Sequence, residues 1–273
     1  MAEPPAITSI KNPLVKRIRS LVSDRDQREQ ERKLVVEGIR MIEEVLAAGV
    51  PIDVLLYDPD VSAHPRAAAA LAASRRRDVR LVQASSHVVA ACSQVETPQG
   101  LVAVVAKPAV ALAQVAGRPD QLTVVADRIQ DPGNLGTMIR IADAAGATGV
   151  IVTRGSVDPT NPKAVRATMG SLFHLPVVEA AAEDAIATLR AHRVRILIAD
   201  QHGAIEYTAA SYRRPVALVL GNEGEGVDAP WREVAEAAVR IPLYGRAESL
   251  NVAVAAGLLL YEANRQGTSG GHR

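Results

Sequence analysis

Short apolar runs and longer amphipathic segments alternate along most of the chain. The polar stretch 11–33 carries apolar residues at helical spacing and predicts one amphipathic helix that begins near Pro13. Beyond it, the first half contains four runs that predict strands and three segments that predict helices. The strands are 34–36, 54–57, 79–82 and 101–105, and the helices are 39–48, 65–73 and 86–92. This alternation is typical of an α/β domain.

A second alternation follows residues 108–121, whose prolines, glycine and small residues indicate a linker. The predicted strands are 122–126, 149–152, 177–178, 196–199 and 216–220, and the predicted helices are 134–145, 162–169, 182–192 and 251–264. Strands that are apolar throughout are typical of a parallel sheet covered on both faces. We therefore expect domains at 1–107 and 122–265 and a flexible tail at 266–273.

Composition limits the possible domain number, partners and cellular location only slightly. A chain of 273 residues with 48% hydrophobic content suits one large domain or two ordinary ones. The net charge of +1 argues neither for nor against a nucleic-acid partner. Cys92 is the one cysteine, so no internal disulfide forms, and no Cys/His cluster has zinc spacing. Without a signal-like N-terminus or a long apolar run, we expect a cytoplasmic protein without a metal site.

The clearest candidate for chemistry is a glycine-rich acidic loop, Gly221 to Gly226, which directly follows the apolar run ending at Leu220. Parallel α/β sheets bind ligands at the carboxyl ends of their strands. Glycines there let a backbone approach a ligand closely, although a tight surface turn explains the same residues. The sequence contains neither a G-x-G-x-x-G nor a P-loop pattern, which disfavours a dinucleotide or nucleoside triphosphate site.

Two further polar segments lie before or within predicted helices. In Asp131 to Arg140, Asn134 is a plausible N-cap and Arg140 lies on the helix, where a salt bridge with Asp143 is the simplest role. Near the last helix, Ser249 or Asn251 is a plausible N-cap. Each segment alone has an ordinary structural explanation.

Taken together and in this order, segments 131–140, 218–227 and 241–251 resemble the three motifs of the SpoU/TrmH group of SPOUT RNA methyltransferases. The match runs from Leu122 to about Asn264. It implies a knotted parallel sheet with a deep trefoil knot, a homodimer, S-adenosyl-L-methionine as cofactor and methylation of a ribose 2′-hydroxyl in RNA. The implied catalytic residues are Asn134, Arg140, Glu223, Ser249 and Asn251. The implied cofactor-binding residues are Leu220, Gly221, Asn222, Gly224, Ile241, Pro242, Leu250 and Asn251.

The first half of the chain resembles the L30e-like substrate-binding domain that precedes many SpoU-type domains, through segments 9–13, 36–38 and 96–103. The candidate contacts to RNA phosphates are Lys11, Lys16, Arg17, Arg19, Arg75, Arg76 and Arg77. Solvated helix faces are the simpler explanation of the same charges. This domain favours 23S ribosomal RNA as the substrate over transfer RNA. A non-catalytic RNA-binding or assembly factor on the same fold is the main alternative.

A Rossmann-type oxidoreductase is a weaker alternative, because Asp131-Pro132-Gly133-Asn134 is not a dinucleotide fingerprint. For the methyltransferase, accounts of the family make the motif-one arginine a general base, yet a guanidinium stays protonated at neutral pH. We therefore expect Arg140 to stabilise the developing alkoxide and to clamp a phosphate. Asn134 would fix the ribose or Arg140, and Glu223 would orient Arg140 or nearby loop amides. Ser249 and Asn251 would shape the pocket.

Overall fold

The computed structural model describes residues 6–269 and divides the chain into two compact units. The first comprises Met1–Pro108 together with Thr160–Phe173, and the second comprises Ala109–Pro159 and His174–Arg273. The sequence pattern groups 160–173 with the second domain, whereas in the structure these residues pack with the first unit. The helix in this segment buries Pro162, Ala164, Val165 and Thr168, and it packs against the first strand of that unit.

The helices of the first unit are α1 (Pro13–Ser23), α2 (Arg25–Glu31), α3 (Ile39–Ala47), α4 (Pro65–Arg75), α5 (Ser86–Ala91) and α7 (Pro162–Thr168). Its strands are β1 (Lys33–Glu37), β2 (Ile52–Tyr57), β3 (Arg80–Gln83) and β4 (Leu101–Ala106). The prediction of one helix over 11–33 was wrong. Asp24 ends α1 in an extended conformation, and its carboxylate accepts from the N–H groups of Asp26 and Gln27 to begin α2.

The first sheet is mixed and has the order β1–β4–β2–β3. Strand β4 is antiparallel to both β1 and β2, while β2 and β3 are parallel. Helix α1 buries Val15, Ile18 and Leu21, which join the core on one face of this sheet. Cys92 belongs to the same core at 2% exposure, and burial raises the pKa of its thiol to about 11.

The helices of the second unit are α6 (Pro132–Ala144), α8 (Ala182–Ala191), α9 (Ala229–Val234) and α10 (Val252–Ser269). Its strands are β5 (Leu122–Ala126), β6 (Gly149–Thr153), β7 (Val177–Ala180), β8 (Arg195–Ala199), β9 (Ile205–Glu206), β10 (Val216–Leu220) and β11 (Ala237–Arg240). The sequence pattern misses β9, α9 and β11, all of which are shorter than seven residues.

The second sheet has seven strands in the order β7–β6–β5–β10–β8–β11–β9, and every recorded pair in it is parallel. Its two faces bury separate cores, one containing Leu135 of α6 and Leu260 of α10, the other Leu189 of α8 and Trp231 of α9. The predicted parallel sheet with both faces covered is therefore confirmed. The trefoil knot stays a prediction.

The last helix, α10, continues past its predicted end at residue 264 and into the predicted flexible tail. Gln266 explains part of this extension, because its side-chain amide donates to the carbonyl of Ala210 at 2.9 Å. Residues 270–273 of the predicted tail lie outside the described residues. Across residues 6–269, no helix is both long enough and apolar enough to cross a membrane.

Candidate active site

The glycine loop lies at the carboxyl end of β10, next to the ends of β5 and β8. Register pairs Leu220 with Ala126 across the parallel pair β10–β5, so the loops after both strands leave the sheet at one edge. A Cβ atom on Gly221 would lie 2.2 Å from the backbone of Gly226 and Val227, which only a glycine avoids. Gly226 adopts a φ of +73°, whereas a Cβ on Gly224 would make only an ordinary contact of 3.6 Å with the Asn222 side chain. The two ends of the loop, at Gly221 and Gly226, are therefore packed closely against each other.

Asn222 organises the interior of this loop. Its side-chain oxygen accepts from the N–H groups of Gly224 at 2.8 Å and Glu225 at 3.0 Å. Its Nδ2 donates to the carbonyl of Arg128 at 3.0 Å, which ties the loop to the segment after β5. These bonds between protein groups fix the loop's shape.

Side chains from the three motifs meet in one hydrogen-bonded chain. Asn251 Nδ2 donates to Asn134 Oδ1 at 2.8 Å, and Asn134 Nδ2 donates to Glu223 Oε1 at 2.9 Å. Asn251 Oδ1 accepts from the N–H groups of Ala253 and Val254, so Asn251 also caps α10 as predicted. Residues that are 89 and 117 positions apart are thus brought into direct contact.

Glu223 accepts hydrogen bonds from both α6 and the loop that precedes it. Its Oε2 accepts from the N–H of Gln130 at 3.3 Å, in addition to the bond from Asn134. Burial raises the pKa of the Glu223 carboxyl, but the Asn134 amide and neighbouring backbone N–H groups outweigh burial and hold the pKa below its ordinary value. Glu223 is therefore an ionised acceptor at neutral pH. It accepts from a loop amide, which is one of the two partners expected for it, and within the described residues it has no bond to the other, Arg140.

Arg140 differs from the rest of the predicted set. It is exposed on α6, and within residues 6–269 its side chain has no hydrogen bond or ion pair. The expected salt bridge with Asp143 is therefore not formed. Asn134 is not the N-cap of α6 either, because Asp131 occupies that position, accepts from the N–H of Asn134 and is followed by Pro132 at N1. Asn134 is thereby left free to project its amide towards Glu223.

A cavity of about 470 Å³ opens beside this chain of bonds. Most of the predicted cofactor-binding residues line it, together with two predicted catalytic ones: Leu220, Gly221, Asn222, Gly224, Ile241 and Leu250, with Glu223 and Ser249. Pro242 and Asn251 are not among the lining residues. Pro242 lies between the lining residues Ile241 and Leu243, and Asn251 turns to Asn134 instead.

The sequence pattern missed a polar wall of the same cavity, formed by Asp200, His202 and Arg232. Asp200 accepts from the N–H of His202 at 2.8 Å and pairs with Arg232. Burial raises the pKa of Asp200, but these partners outweigh it and hold the pKa below its ordinary value. A signal was available, because Asp200 directly follows the apolar run of β8 at the same sheet edge.

The side chains around the cavity fit a cationic ligand with an apolar part. Three carboxylates, Asp200, Glu223 and Glu225, face it with one arginine, while Leu220 and Ile241 supply apolar surface. S-adenosylmethionine has this character, because it combines a sulfonium cation with a flat adenine. Among residues 6–269 there is no group of three or more His, Cys, Asp or Glu that suits a metal ion.

The predicted RNA contacts fall on two parts of the first unit. Lys11 precedes α1, while Lys16 and Arg19 are exposed on it. Arg17 is half-buried and pairs with Glu31 at 2.6 Å and Asp53 at 2.7 Å, so its charge is already balanced. Arg75, Arg76 and Arg77 are exposed at the end of α4.

Comparison with known proteins gives a consistent result. A family model described as the SpoU rRNA Methylase family matches residues 121–261, and a second, the MRM3-like substrate binding domain, matches residues 12–103. The chain is 36% identical to a 23S rRNA (uridine(2479)-2'-O)-methyltransferase of Streptomyces viridochromogenes, over 92% of this chain and 89% of that protein. It is also 36% identical to the 23S rRNA (guanosine(2553)-2'-O)-methyltransferase RlmP of Bacillus subtilis, over 93% and 97%.

Solved structures agree with the sequence relatives. An AdoMet-bound rRNA methyltransferase from Sinorhizobium meliloti superimposes with a TM-score of 0.86 at 35% identity, covering 96% of this chain and 97% of that one. The three motifs and the parallel sheet lie within the residues that the SpoU family model matches. The chain therefore belongs to the SpoU rRNA methylase family.

Proposed function

We propose that this protein transfers a methyl group from S-adenosylmethionine to a ribose 2′-hydroxyl of 23S ribosomal RNA. The observation that carries the proposal is the bonded chain Asn251–Asn134–Glu223 beside an acid-lined cavity of about 470 Å³. Both relatives described above are named 23S rRNA 2′-O-methyltransferases. The similar structure from Sinorhizobium meliloti is that of an AdoMet-bound rRNA methyltransferase. These names support the reaction and the substrate class.

The lining of the cavity supports it as the cofactor site. Leu220, Ile241 and Leu250 would enclose the adenine, and the close-packed backbone at Gly221 would lie against the ribose. The Glu223 carboxylate, which accepts from the neutral Asn134 amide and the Gln130 N–H, favours a positively charged ligand. Ser249 lines the same cavity and supplies a hydroxyl on the side of α10. Pro242 and Asn251 would act by holding their neighbours in place.

S-adenosylmethionine, when bound, would supply an electrophilic methyl group to the 2′-oxygen, with the sulfonium sulfur leaving as a neutral thioether and the proton of the 2′-hydroxyl passing to solvent. Arg140 stabilises the negative charge that develops on that oxygen and clamps an adjacent phosphate, since a guanidinium cannot accept a proton at neutral pH. The amides of Asn134 and Asn251 hold the reacting ribose in register. Glu223 keeps Asn134 in the required orientation through a bond that persists at neutral pH.

The placement of Arg140 supports a homodimer. Asn134 and Arg140 are six residues apart on α6 and therefore lie about 120° apart around its axis. Arg140 thus does not share a face with the bonded chain that it would serve. Helix α10 also leaves Val254, Leu258 and Tyr261 exposed on one face, at 51%, 38% and 58%. A second copy covering this face, with Arg140 of one protomer acting in the partner's cavity, accounts for both features.

The decisive experiment assays methyl transfer from radiolabelled S-adenosylmethionine to unmodified ribosomal RNA and transfer RNA, with nucleoside analysis of the product. We expect a 2′-O-methylated nucleoside in 23S ribosomal RNA alone. Label in transfer RNA alone would keep the reaction and replace the substrate. Cofactor and RNA binding without transfer to either RNA, or to ribosomal particles, would support a non-catalytic assembly factor. We expect the enzyme in the cytoplasm, where its substrate is made.

A further inference from the structure

A second cavity, of about 320 Å³, lies within the first unit and is not explained by the methyl-transfer site. Its walls come from the start of α3, from the segment that leads into β4, and from the end of α7. Met41, Val95, Pro98 and Met169 supply apolar surface, and Arg40, Gln99 and Arg166 supply polar groups. The volume suits a small planar ligand.

The amide of Gln99 is held in one orientation. Its Oε1 accepts from the N–H of Ile39 at 2.9 Å, and Gly38 leaves just enough room for it, since a Cβ there would lie 2.9 Å from Oε1. Within residues 6–269, Nε2 of Gln99 has no recorded partner. Gln99 therefore presents hydrogen-bond donors, not an acceptor, to a ligand in this cavity.

Arg166 is fixed in a similar way. Its Nη1 donates to Glu37 Oε1 at 2.9 Å, and Glu37 in turn accepts from the hydroxyl of Ser93. The remaining guanidinium N–H groups of Arg166 have no recorded partner among the described residues. Arg40 is exposed at the same cavity and lies 3.8 Å from Glu44, too far for a hydrogen bond. The cavity thus offers two cations and a set of oriented donors.

From this polarity we infer that the cavity of the first unit binds an unpaired nucleotide of the RNA substrate, with the base against the methionines and a phosphate on Arg40 and Arg166. Nucleobases and phosphates are rich in acceptors, and single-stranded bases enter protein pockets with an apolar face buried. The inference rests on the proposed RNA substrate. A free nucleotide has the same chemistry, and the experiment separates the two sources.

The test uses the full-length protein and Gln99→Glu, which keeps the acceptor for the Ile39 N–H but replaces the exposed donors with an acceptor. Arg166→Gln is the second variant. Arg66→Gln is the matched control, because it removes the same net charge from an exposed ion pair with Glu43 outside the cavity. Each protein is tested for binding of a 23S ribosomal RNA transcript, of the four nucleoside monophosphates and of S-adenosylmethionine. Methyl transfer to the RNA is measured alongside.

We expect RNA affinity to fall at least about tenfold in Gln99→Glu and Arg166→Gln, with near-normal values in Arg66→Gln and unchanged cofactor affinity throughout. Wild-type RNA affinity in both cavity variants would overturn the inference. Loss of mononucleotide binding with unchanged RNA binding would overturn it in favour of a free-nucleotide site. Variant-sensitive RNA binding without methyl transfer to any RNA would sink the proposed function and leave the nucleotide site standing.

Discussion

The two cavities differ in the sign of the charge on their walls. In the second unit, Asp200, Glu223 and Glu225 face the cavity with one arginine, whereas in the first unit Arg40 and Arg166 face it with Glu37. The whole chain has a net charge of only +1. A nearly neutral protein thus separates its charges locally. Negative side chains line the cavity where a sulfonium is expected, and positive side chains line the cavity where phosphates are expected.

The strongest challenge to this division of charge is Arg140, an exposed cation of the second unit. We expect Arg140→Ala to lower kcat by about 10²–10³-fold, because it removes a charge that acts on the developing alkoxide. Cofactor affinity should change little, since Arg140 does not line the cavity. Single-turnover methyl transfer and calorimetric titration with the cofactor measure the two effects. Near-normal turnover would remove Arg140 from the mechanism, and Arg140→Lys is the control for charge alone.

Mixing variants tests where Arg140 acts. If it serves the partner's cavity, a heterodimer of Arg140→Ala and Gly221→Ala has one intact site and should recover a substantial part of wild-type activity. If it serves its own protomer, every site in the mixture is defective and activity stays at the level of the parents. The result is read from specific activity against mixing ratio.

Gly221→Ala tests whether backbone shape, not charge, holds the cofactor. The new Cβ would lie 2.2 Å from backbone atoms, so the loop must shift. We expect a loss of about 1–3 kcal/mol in unfolding free energy and at least a tenfold loss of cofactor affinity. Gly224→Ala is the matched control, because its Cβ would meet only the Asn222 side chain at 3.6 Å. Equal losses in both variants would contradict a special role for Gly221.

Asn251→Asp separates helix capping from the bond to Asn134. Aspartate keeps the acceptor for the N–H groups of Ala253 and Val254 but has no donor for Asn134 Oδ1. We expect near-normal thermal stability and a roughly tenfold lower kcat. Asn251→Ala should lose activity and also about 1 kcal/mol of stability. Normal kcat in Asn251→Asp would show that the bonded chain is structural only.

The smallest expected effect concerns pH. Because the pKa of Glu223 is held below its ordinary value of about 4.3, its carboxylate stays charged throughout the neutral range. Its contribution to stability and cofactor binding is present above that ordinary value and is lost as pH falls through the lower folded value. Glu223 should therefore contribute almost no pH dependence to cofactor affinity between pH 8 and about pH 5.5. A titration in that range that disappears in Glu223→Gln would contradict this assignment.

Some of this structure was predictable from sequence and some was not. The buried strands of the second unit and the glycine loop after β10 follow from apolar runs and their abrupt ends. The meeting of Asn134, Glu223 and Asn251 follows from motif resemblance, not from spacing, since residues so far apart are joined only by the fold. The prediction of a single first helix fails at Asp24, because the Asp24 side chain caps a new helix there although the apolar spacing continues through it.

The first-unit cavity was beyond sequence reasoning for a similar reason. Arg166 and Met169 come from a stretch whose pattern belongs to the second alternation, and nothing in the local spacing assigns that stretch to the first sheet. The polar wall at Asp200 is a different case. Asp200 directly follows an apolar parallel strand, which marks it in the sequence, although it lies outside the three family motifs.

The return of residues 160–173 to the first unit limits how this protein can be taken apart or recombined. A fragment that ends at Pro108 lacks α7, so it lacks Arg166 and the buried side chains that pack against β1. Exchanging residues 1–108 alone between two relatives would join half of one recognition cavity to half of another. A functional chimaera must carry 160–173 as well, so the specificity module of this enzyme is discontinuous in its gene.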